Sequence, residues 1–394
     1  MISVDEALTR ALALVAPLGT EMVPLQHANG RMLAEPEQAR LRQPPFAASA
    51  MDGYAVTGAP AAGQVLTVIG EAAAGRRFQG SVGAGQAVRI FTGAPVPDGA
   101  TRVLLQEDVA AAEGRITLQS ASDGPSNIRA AGQDFELGAT VSPRRLRPAD
   151  LALLAAMNHA EVPVTRKPVI AILATGDELV MPGTNPGPDQ IISSNGFALK
   201  AMVEECGAEA RLLPIAADTE DSLRTVFALA EGADLIVTIG GASVGDHDLV
   251  GRVAQSLGLE RAFWKIAMRP GKPLMAGRLG TGTPLLGLPG NPVSAIVCGH
   301  LFLLPMVRRM LGMSEVAPPV QEARLAVDLP PGGPRAHYMR SRLCRAPDGT
   351  ATITPMTNQD SALLSVLTSA DALLIQPPNA PALPAGEMVR YLAI

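Results

Sequence analysis

Val169-Ile170-Ala171-Ile172-Leu173 runs without a polar break and then gives way to Thr175-Gly176-Asp177-Glu178-Leu179, and this passage decides the fold. The same sentence is written twice more. Leu235-Ile236-Val237-Thr238-Ile239 leads into Gly240-Gly241-Ala242-Ser243-Val244-Gly245-Asp246-His247-Asp248, and Pro284-Leu285-Leu286-Gly287-Leu288 leads into Pro289-Gly290-Asn291-Pro292-Val293-Ser294-Ala295. Short continuous apolar runs separated by helical patterns indicate strands buried on both faces of a mostly parallel sheet. Ligands of such sheets bind where the carboxyl ends of the strands meet the following loops. All three runs place their glycines and polar groups at that edge.

Working outward, 394 residues exceed one ordinary core, so two to four domains are expected. Lys plus Arg number 32 against 37 Asp plus Glu, a net charge of −5 that argues against nucleic-acid binding. Aromatic residues make up 3% of the chain, too few for stacking platforms along a single strand. No apolar run of membrane-spanning length is free of Pro, Gly or charge, and the Met1-Ile2-Ser3-Val4-Asp5-Glu6 start lacks the layout of a secretory signal. Cys206, Cys298 and Cys344 form no pair motif and read as small apolar residues of a reducing compartment. The expectation is a cytoplasmic protein without a membrane span.

Ser3 and Glu6 form a capping box ahead of a helix reaching about Val15, and a second helix is expected near Glu21 to Leu33. From about residue 42 to 141, short apolar runs alternate with Gly and Pro turns, the pattern of a β-rich insertion. Helical signals return at Pro148 to Met157. The boundaries implied are a discontinuous helical and linker domain at 1–41 and 142–167, the insertion at 42–141, the α/β domain at 168–316, and a C-terminal domain at 317–394 that forms a small closed or partly closed β structure.

The chemistry sits at the sheet edge. Gly240, Gly241, Ser243 and Gly245 let backbone N–H groups approach an oxyanion, although the spacing is neither a P-loop nor a dinucleotide fingerprint, and a tight strand-to-helix turn uses the same residues. Asn291 and Pro292 suit the N-cap and first position of a helix running to about Leu303, whose positive end would form a second anion wall with Pro289 and Ser294 nearby. Lys265, Arg269 and Lys272 flank a Pro-Gly turn; they read as cations that grip a phosphate-type ligand or as an exposed basic loop. Asp177, Glu178, Asp246 and Asp248 follow two of the strands, the grouping that holds Mg²⁺ beside a phosphate, while any one of them alone is an ordinary turn residue. His247, alone between two of these acids, is weak evidence for a metal ligand.

Five segments then occur in fixed order: Met51-Asp52-Gly53-Tyr54-Ala55, Phe91-Thr92-Gly93-Ala94-Pro95-Val96-Pro97, Thr175-Gly176-Asp177-Glu178-Leu179, Gly240-Gly241-Ala242-Ser243-Val244-Gly245, and Gly287 to Ala295. Together they resemble the molybdopterin molybdenumtransferase family, MoeA, to which the gephyrin E domain also belongs, and the resemblance covers essentially the whole chain. It implies an α/β plus β multidomain fold: a central molybdopterin-binding-type α/β three-layer domain, a β-rich insertion and a C-terminal barrel-like domain. It also implies an elongated homodimer with a cleft between the α/β domain and the insertion of the partner subunit. The implied reaction joins molybdate to adenylylated molybdopterin with Mg²⁺, releasing AMP and molybdenum cofactor. The dithiolene sulfurs come with the substrate, which accounts for the lack of a cysteine cluster.

Carried over by motif, Asp52, Thr92, Asp134, Glu178, Asp218 and Asp248 form the acidic and hydroxyl part of the implied site, with Glu178, Asp248 and Asp52 as Mg²⁺ ligands. Lys265, Arg269 and Lys272 steady molybdate and phosphate charge, and Ser361 reaches in from the C-terminal domain. Implied partners are a molybdopterin adenylyltransferase and the apo-molybdoenzymes or their chaperones. Three positions depart from the family's usual pattern. Arg269 stands where Lys is common, keeping the charge but not a proton that can be given up; Ala47-Ala48 replace more polar residues, and Ala242 a larger one. Two rivals remain. A gephyrin-like scaffold would not need the grouped acids, and a molybdopterin adenylyltransferase would not need the Met51–Tyr54 and Phe91–Pro97 segments or a C-terminal β domain.

Overall fold

The computed structural model describes residues 1–241 and 249–394; Ala242 to Asp248 lie outside the described residues. The chain packs into two units, one of Met1–Glu21, Gly30–Ala34 and Val164–Ile394, the other of Met22–Asn29 and Glu35–Pro163.

The first unit is built on the expected sheet. Its strands lie in the order Glu209–Leu212, Val169–Ala174, Leu235–Ile239, Pro284–Leu288, Met275–Arg278, Glu260–Trp264. The first four are parallel, and Met275–Arg278 runs antiparallel to both of its neighbours, so one edge is mixed. Alternation along Val169–Ala174 sends Ile170, Ile172 and Ala174 into the core on one face, and Ala171 and Leu173 into that on the other. Helix Asn195–Cys206 follows the first strand, and the chain passes through Glu209–Leu212 before crossing to Leu235–Ile239 on the opposite side. The carboxyl ends of Val169–Ala174 and Leu235–Ile239 therefore flank a topological switch point.

A 19-residue helical run, Pro292–Met310, packs against this sheet. It is long and apolar enough to cross a membrane by length and composition, yet 78% of its most apolar 18-residue stretch is buried inside the protein, as in a core helix. It widens to a π turn at Gly299–Leu303, directly ahead of Pro305, which has no N–H to give the preceding turn. At the C-terminus, Val320–Leu325, Ala336–Arg345, Ala351–Pro355, Ala372–Gln376 and Met388–Ala393 close into a small barrel, sealed by the pairing of Ala336–Arg345 with Ala372–Gln376. The short strand Met268–Arg269 adds to it in parallel, tying the basic loop to the barrel.

The second unit is a six-stranded mixed sheet in the order Arg102–Leu105, Gly53–Val56, Gln86–Ile90, Val65–Ala72, Arg115–Leu118, Val109–Ala112, together with helix Pro148–Ala156. The Ser3 hydroxyl accepts the Glu6 N–H as expected, starting a helix over Val4–Leu12. The helix expected near Glu21 to Leu33 is absent. Thr20–Pro24 is extended and Leu25–His27 forms a 3-10 turn, because Pro24 excludes Val23 from helical backbone and Gly30, at φ 75°, reverses the chain soon after.

Candidate functional site

At the switch point lies a cavity of about 670 Å³, lined by residues that follow all three quoted strands. After the first strand, the Thr175 hydroxyl donates to the Asp218 carboxylate at 2.8 Å, and the Asp218 N–H donates to the Asp177 carboxylate at 2.9 Å. Glu178 and Asp218 line the cavity; Asp177 is spent on the turn and does not. Gly176, at φ 149°, has no room for a Cβ, which would fall 2.4 Å from the Glu178 carboxylate. The glycine thus leaves that carboxylate its seat.

After the second strand, Gly240 and Gly241 take φ 89° and 63°, and a Cβ on Gly241 would lie 2.2 Å from Val250. The pair is required by close packing as well as by backbone freedom, which is the tight-turn reading of the glycine run at these two positions. Ser243, Gly245, Asp246, His247 and Asp248 lie outside the described residues. After the third strand, Pro289, Gly290, Asn291 and Pro292 form the opposite wall, and Asn195 donates to the Gly290 carbonyl at 2.6 Å.

Asn291 stands at the N-cap and Pro292 opens the helix as expected, but the Asn291 side chain makes no capping bond. The Asn291 amide donates to the Ser361 hydroxyl at 3.2 Å, while the Ser361 carbonyl accepts the Val293 N–H at 3.1 Å. A loop of the barrel domain therefore occupies an N–H that the sequence reserves for an anion. Ser294 is buried and does not line the cavity. That loop is held by Arg340, 1% exposed, whose guanidinium donates to the Asp360 carbonyl at 2.7 Å and whose backbone exchanges hydrogen bonds with the Gln359 amide. Burial draws the Arg340 pKa below its usual value against the pull of Asp360.

Lys265, Arg269 and Lys272 do not line the cavity, but the Lys265 N–H bonds to Leu274, next to the lining residue Pro273. Lys265 takes φ 64°, unusual for a side chain of its size, and its ammonium lies 4.0 Å from the centre of the Trp264 ring. Arg269 pairs with His337 across the parallel bridge. Burial, then the charges of Arg269, Arg340 and Arg335, push the His337 pKa down to about 4.

In the second unit, the Asp52 carboxylate accepts both the Thr92 N–H at 2.7 Å and the Thr92 hydroxyl at 2.8 Å. The backbone bond above all, then the hydroxyl and the charge of Arg89, hold its pKa below the usual carboxylate value. Asp134 is exposed on a separate turn whose N–H bonds to the Gln43 carbonyl. Thr175, Asn195 and Arg340 are site residues that the sequence reading did not assign. Thr175 stands inside a quoted motif, and Arg340 is an arginine within the otherwise apolar or small Tyr338-Met339-Arg340-Ser341 run, a signal that goes unread without knowledge of what it faces.

Among the described residues there is no group of three or more His, Cys, Asp or Glu side chains able to hold a metal by themselves. Mg²⁺ does not require one, since it takes one or two carboxylates and completes its shell with water and substrate phosphates. The all-oxygen set of Glu178 and Asp218 fits that habit.

Three family models match the chain in sequence order: MoeA N-terminal region (domain I and II) over residues 2–158, probable molybdopterin binding domain over 171–309, and MoeA C-terminal region (domain IV) over 322–394. A protein named molybdopterin molybdenumtransferase from Haemophilus influenzae is 34% identical over 396 residues, covering 99% of this chain and 98% of that one. One of the same name from Bacillus subtilis is 32% identical, covering 100% and 94%. Among solved structures, the molybdopterin biosynthesis MoeA protein from Pyrococcus horikosii superposes with a TM-score of 0.85 at 30% identity, covering 100% of this chain and 99% of that one.

Proposed function

The chain belongs to the MoeA family of molybdopterin molybdenumtransferases, and from that membership we propose that it inserts molybdate into adenylylated molybdopterin in the presence of Mg²⁺, releasing AMP and molybdenum cofactor. The observation that carries the reading is the cavity at the switch point, lined by the carboxylates of Glu178 and Asp218 together with the turns at Gly240-Gly241 and Pro289-Gly290. A scaffold would have no use for that convergence.

In this reading Glu178 and Asp218, with Asp248 and Asp52, form the acidic set: one or two of them would hold Mg²⁺ directly and the others through its water shell. Bound there, Mg²⁺ would neutralise charge on the phosphoanhydride oxygens. Thr175 fixes the Asp218 carboxylate and Thr92 fixes that of Asp52, so neither must reorganise when substrate arrives. Lys265, Arg269 and Lys272 attract molybdate and offset charge on departing AMP. Arg269 serves as a charge and not as a proton donor. Gly240 and Gly241 line the approach of the phosphate, as do Pro289, Asn291 and Pro292 on the other wall, with Ser361 behind Asn291; Ser243 and Gly245 are assigned to the same site by motif alone, and Ser294 packs in the helix behind it. No covalent protein intermediate is required. Asp52, Thr92 and Asp134 are assigned to a site completed by a second copy of the chain, so the working form is a homodimer. We place it in the cytoplasm, between a molybdopterin adenylyltransferase that supplies its substrate and the apo-molybdoenzymes or chaperones that take its product.

The test is AMP release from adenylylated molybdopterin on adding molybdate. The transferase releases AMP with molybdate and Mg²⁺ together, and chelation by EDTA abolishes release until Mg²⁺ is restored. A scaffold releases none, and an adenylyltransferase consumes ATP instead.

A further inference from the structure

The turn Met51-Asp52-Gly53 has each of its three carbonyls held by a different element. The Met51 carbonyl accepts from the Ser49 hydroxyl at 2.6 Å, and Ser49 is fully buried. The Asp52 carbonyl accepts the Gln106 N–H at 3.2 Å. The Gly53 carbonyl accepts from the Arg89 guanidinium at 3.2 Å, and a second Arg89 nitrogen reaches the Gln106 side chain at 2.9 Å. Arg89 thus touches both the segment leaving Asp52 and the residue whose backbone holds Asp52.

Its own position is set by two rings. The guanidinium carbon lies 5.0 Å from the centre of Tyr54, its direct cross-strand partner, and 4.8 Å from that of Phe91, the residue just past the end of its own strand. Phe91 is followed at once by Thr92, which supplies both hydrogen bonds to the Asp52 carboxylate. Stacking on aromatic faces combined with a planar fork of donors is a geometry that lysine cannot reproduce.

We propose that Arg89 is a positioning residue for Asp52: seated on Tyr54 and Phe91, it locks the turn that presents the carboxylate against Thr92. The inference rests on the reading of Asp52 as part of the transfer site. Arg89 does not contact substrate; it acts through the Gly53 carbonyl and the Gln106 side chain.

The experiment uses the full-length protein and measures AMP release with molybdate, Mg²⁺ and adenylylated molybdopterin, together with thermal unfolding. Arg89→Lys keeps the charge and loses the fork and the stack. The expected result is a fall in kcat on the order of 10- to 100-fold, the size of a small misplacement of a reacting group, with KM for the pterin unchanged and the unfolding midpoint retained. Arg89→Ala loses activity further and regains part of it on adding methylguanidinium, which fills the vacated seat; a merely structural defect would not respond. Phe91→Leu, which keeps the guanidinium but removes one ring, lowers kcat in the same direction. Wild-type kcat in Arg89→Lys, or loss in Arg89→Ala that methylguanidinium leaves unchanged, overturns the proposal. Asp52→Asn separates the two levels of the argument. If it turns over normally, the reading of Asp52 fails; if it is inactive while Arg89→Lys is normal, only the positioning role fails.

Discussion

Replacing Gly176 by alanine adds one methyl group at the point where the first strand opens onto the cavity. The new Cβ would stand 2.4 Å from the Glu178 carboxylate, whereas ordinary contact begins at 3.4 Å, so the carboxylate must withdraw by the difference, about 1 Å. The carboxylate is the far end of a flexible side chain, so the withdrawal itself costs little stability. The backbone is the larger stability term: φ 149° is poorly tolerated by a side chain, at about 1–3 kcal/mol. In a unit of this size each kcal/mol corresponds to about 2–4 °C in the unfolding midpoint. The functional term is separate. With Glu178 in its proposed role toward Mg²⁺, a displacement of about 1 Å should lower turnover on the order of 100-fold. The assay is AMP release at saturating Mg²⁺, beside thermal unfolding, with Glu178→Gln as the reference for loss of the carboxylate charge. A folded Gly176→Ala protein that turned over like wild type would refute the argument that the glycine exists to seat Glu178.

Arg340→Gln should free the Asn358–Ser361 loop, speed hydrogen exchange of the Val293 amide whose acceptor is the Ser361 carbonyl, and lower kcat/KM on the order of tenfold; an unchanged exchange rate would detach Arg340 from the site. Asp234 accepts two bonds from Arg166, at 2.6 and 3.0 Å, and the Val169 N–H at 2.8 Å, so Asp234→Asn should cost about 1–2 kcal/mol in urea unfolding, reduced from a buried pair because Arg166 is 43% exposed. Burial acts to raise the pKa of Asp150, but the Arg147 hydrogen bonds and the charges of Arg144 and Arg147 outweigh it and leave it below the usual value of 3.8. A depressed carboxylate stabilises the fold above the unfolded value and loses that contribution as pH falls through the folded one. The stability gap between wild type and Asp150→Asn should therefore be present at neutral pH, about 1–3 kcal/mol, and close below about pH 4; a gap unchanged by acid would remove Asp150 from the account.

Much of this protein is local and was therefore legible in the chain. Runs buried on both faces, such as Val169–Ala174 and Leu235–Ile239, betray themselves by unbroken apolarity, and the turns that follow carry their glycines in the same ten residues. Glu178, Asn291 and Pro292 were found because strand, turn and helix start are written side by side. The stretch near Glu21 to Leu33 misled for the opposite reason: its spacing suits a helix, while a single proline at Pro24 sets the backbone.

What adjacency could not tell was who pairs with whom. The chain announces Ser361, Val293 and Asn291 separately; only folding shows that a barrel loop takes the Val293 N–H and the Asn291 amide, leaving fewer donors for an anion than the helix start advertises. The same holds for Thr175 on Asp218 and for Arg340 beneath Gln359 and Asp360. Hydrogen bonds between residues tens of positions apart depend on distances and angles that the order of strands decides, and no periodicity in the sequence records them. Burial and backbone preference are written residue by residue, whereas the chemistry of a site belongs to pairs, and pairs exist only once the chain has folded.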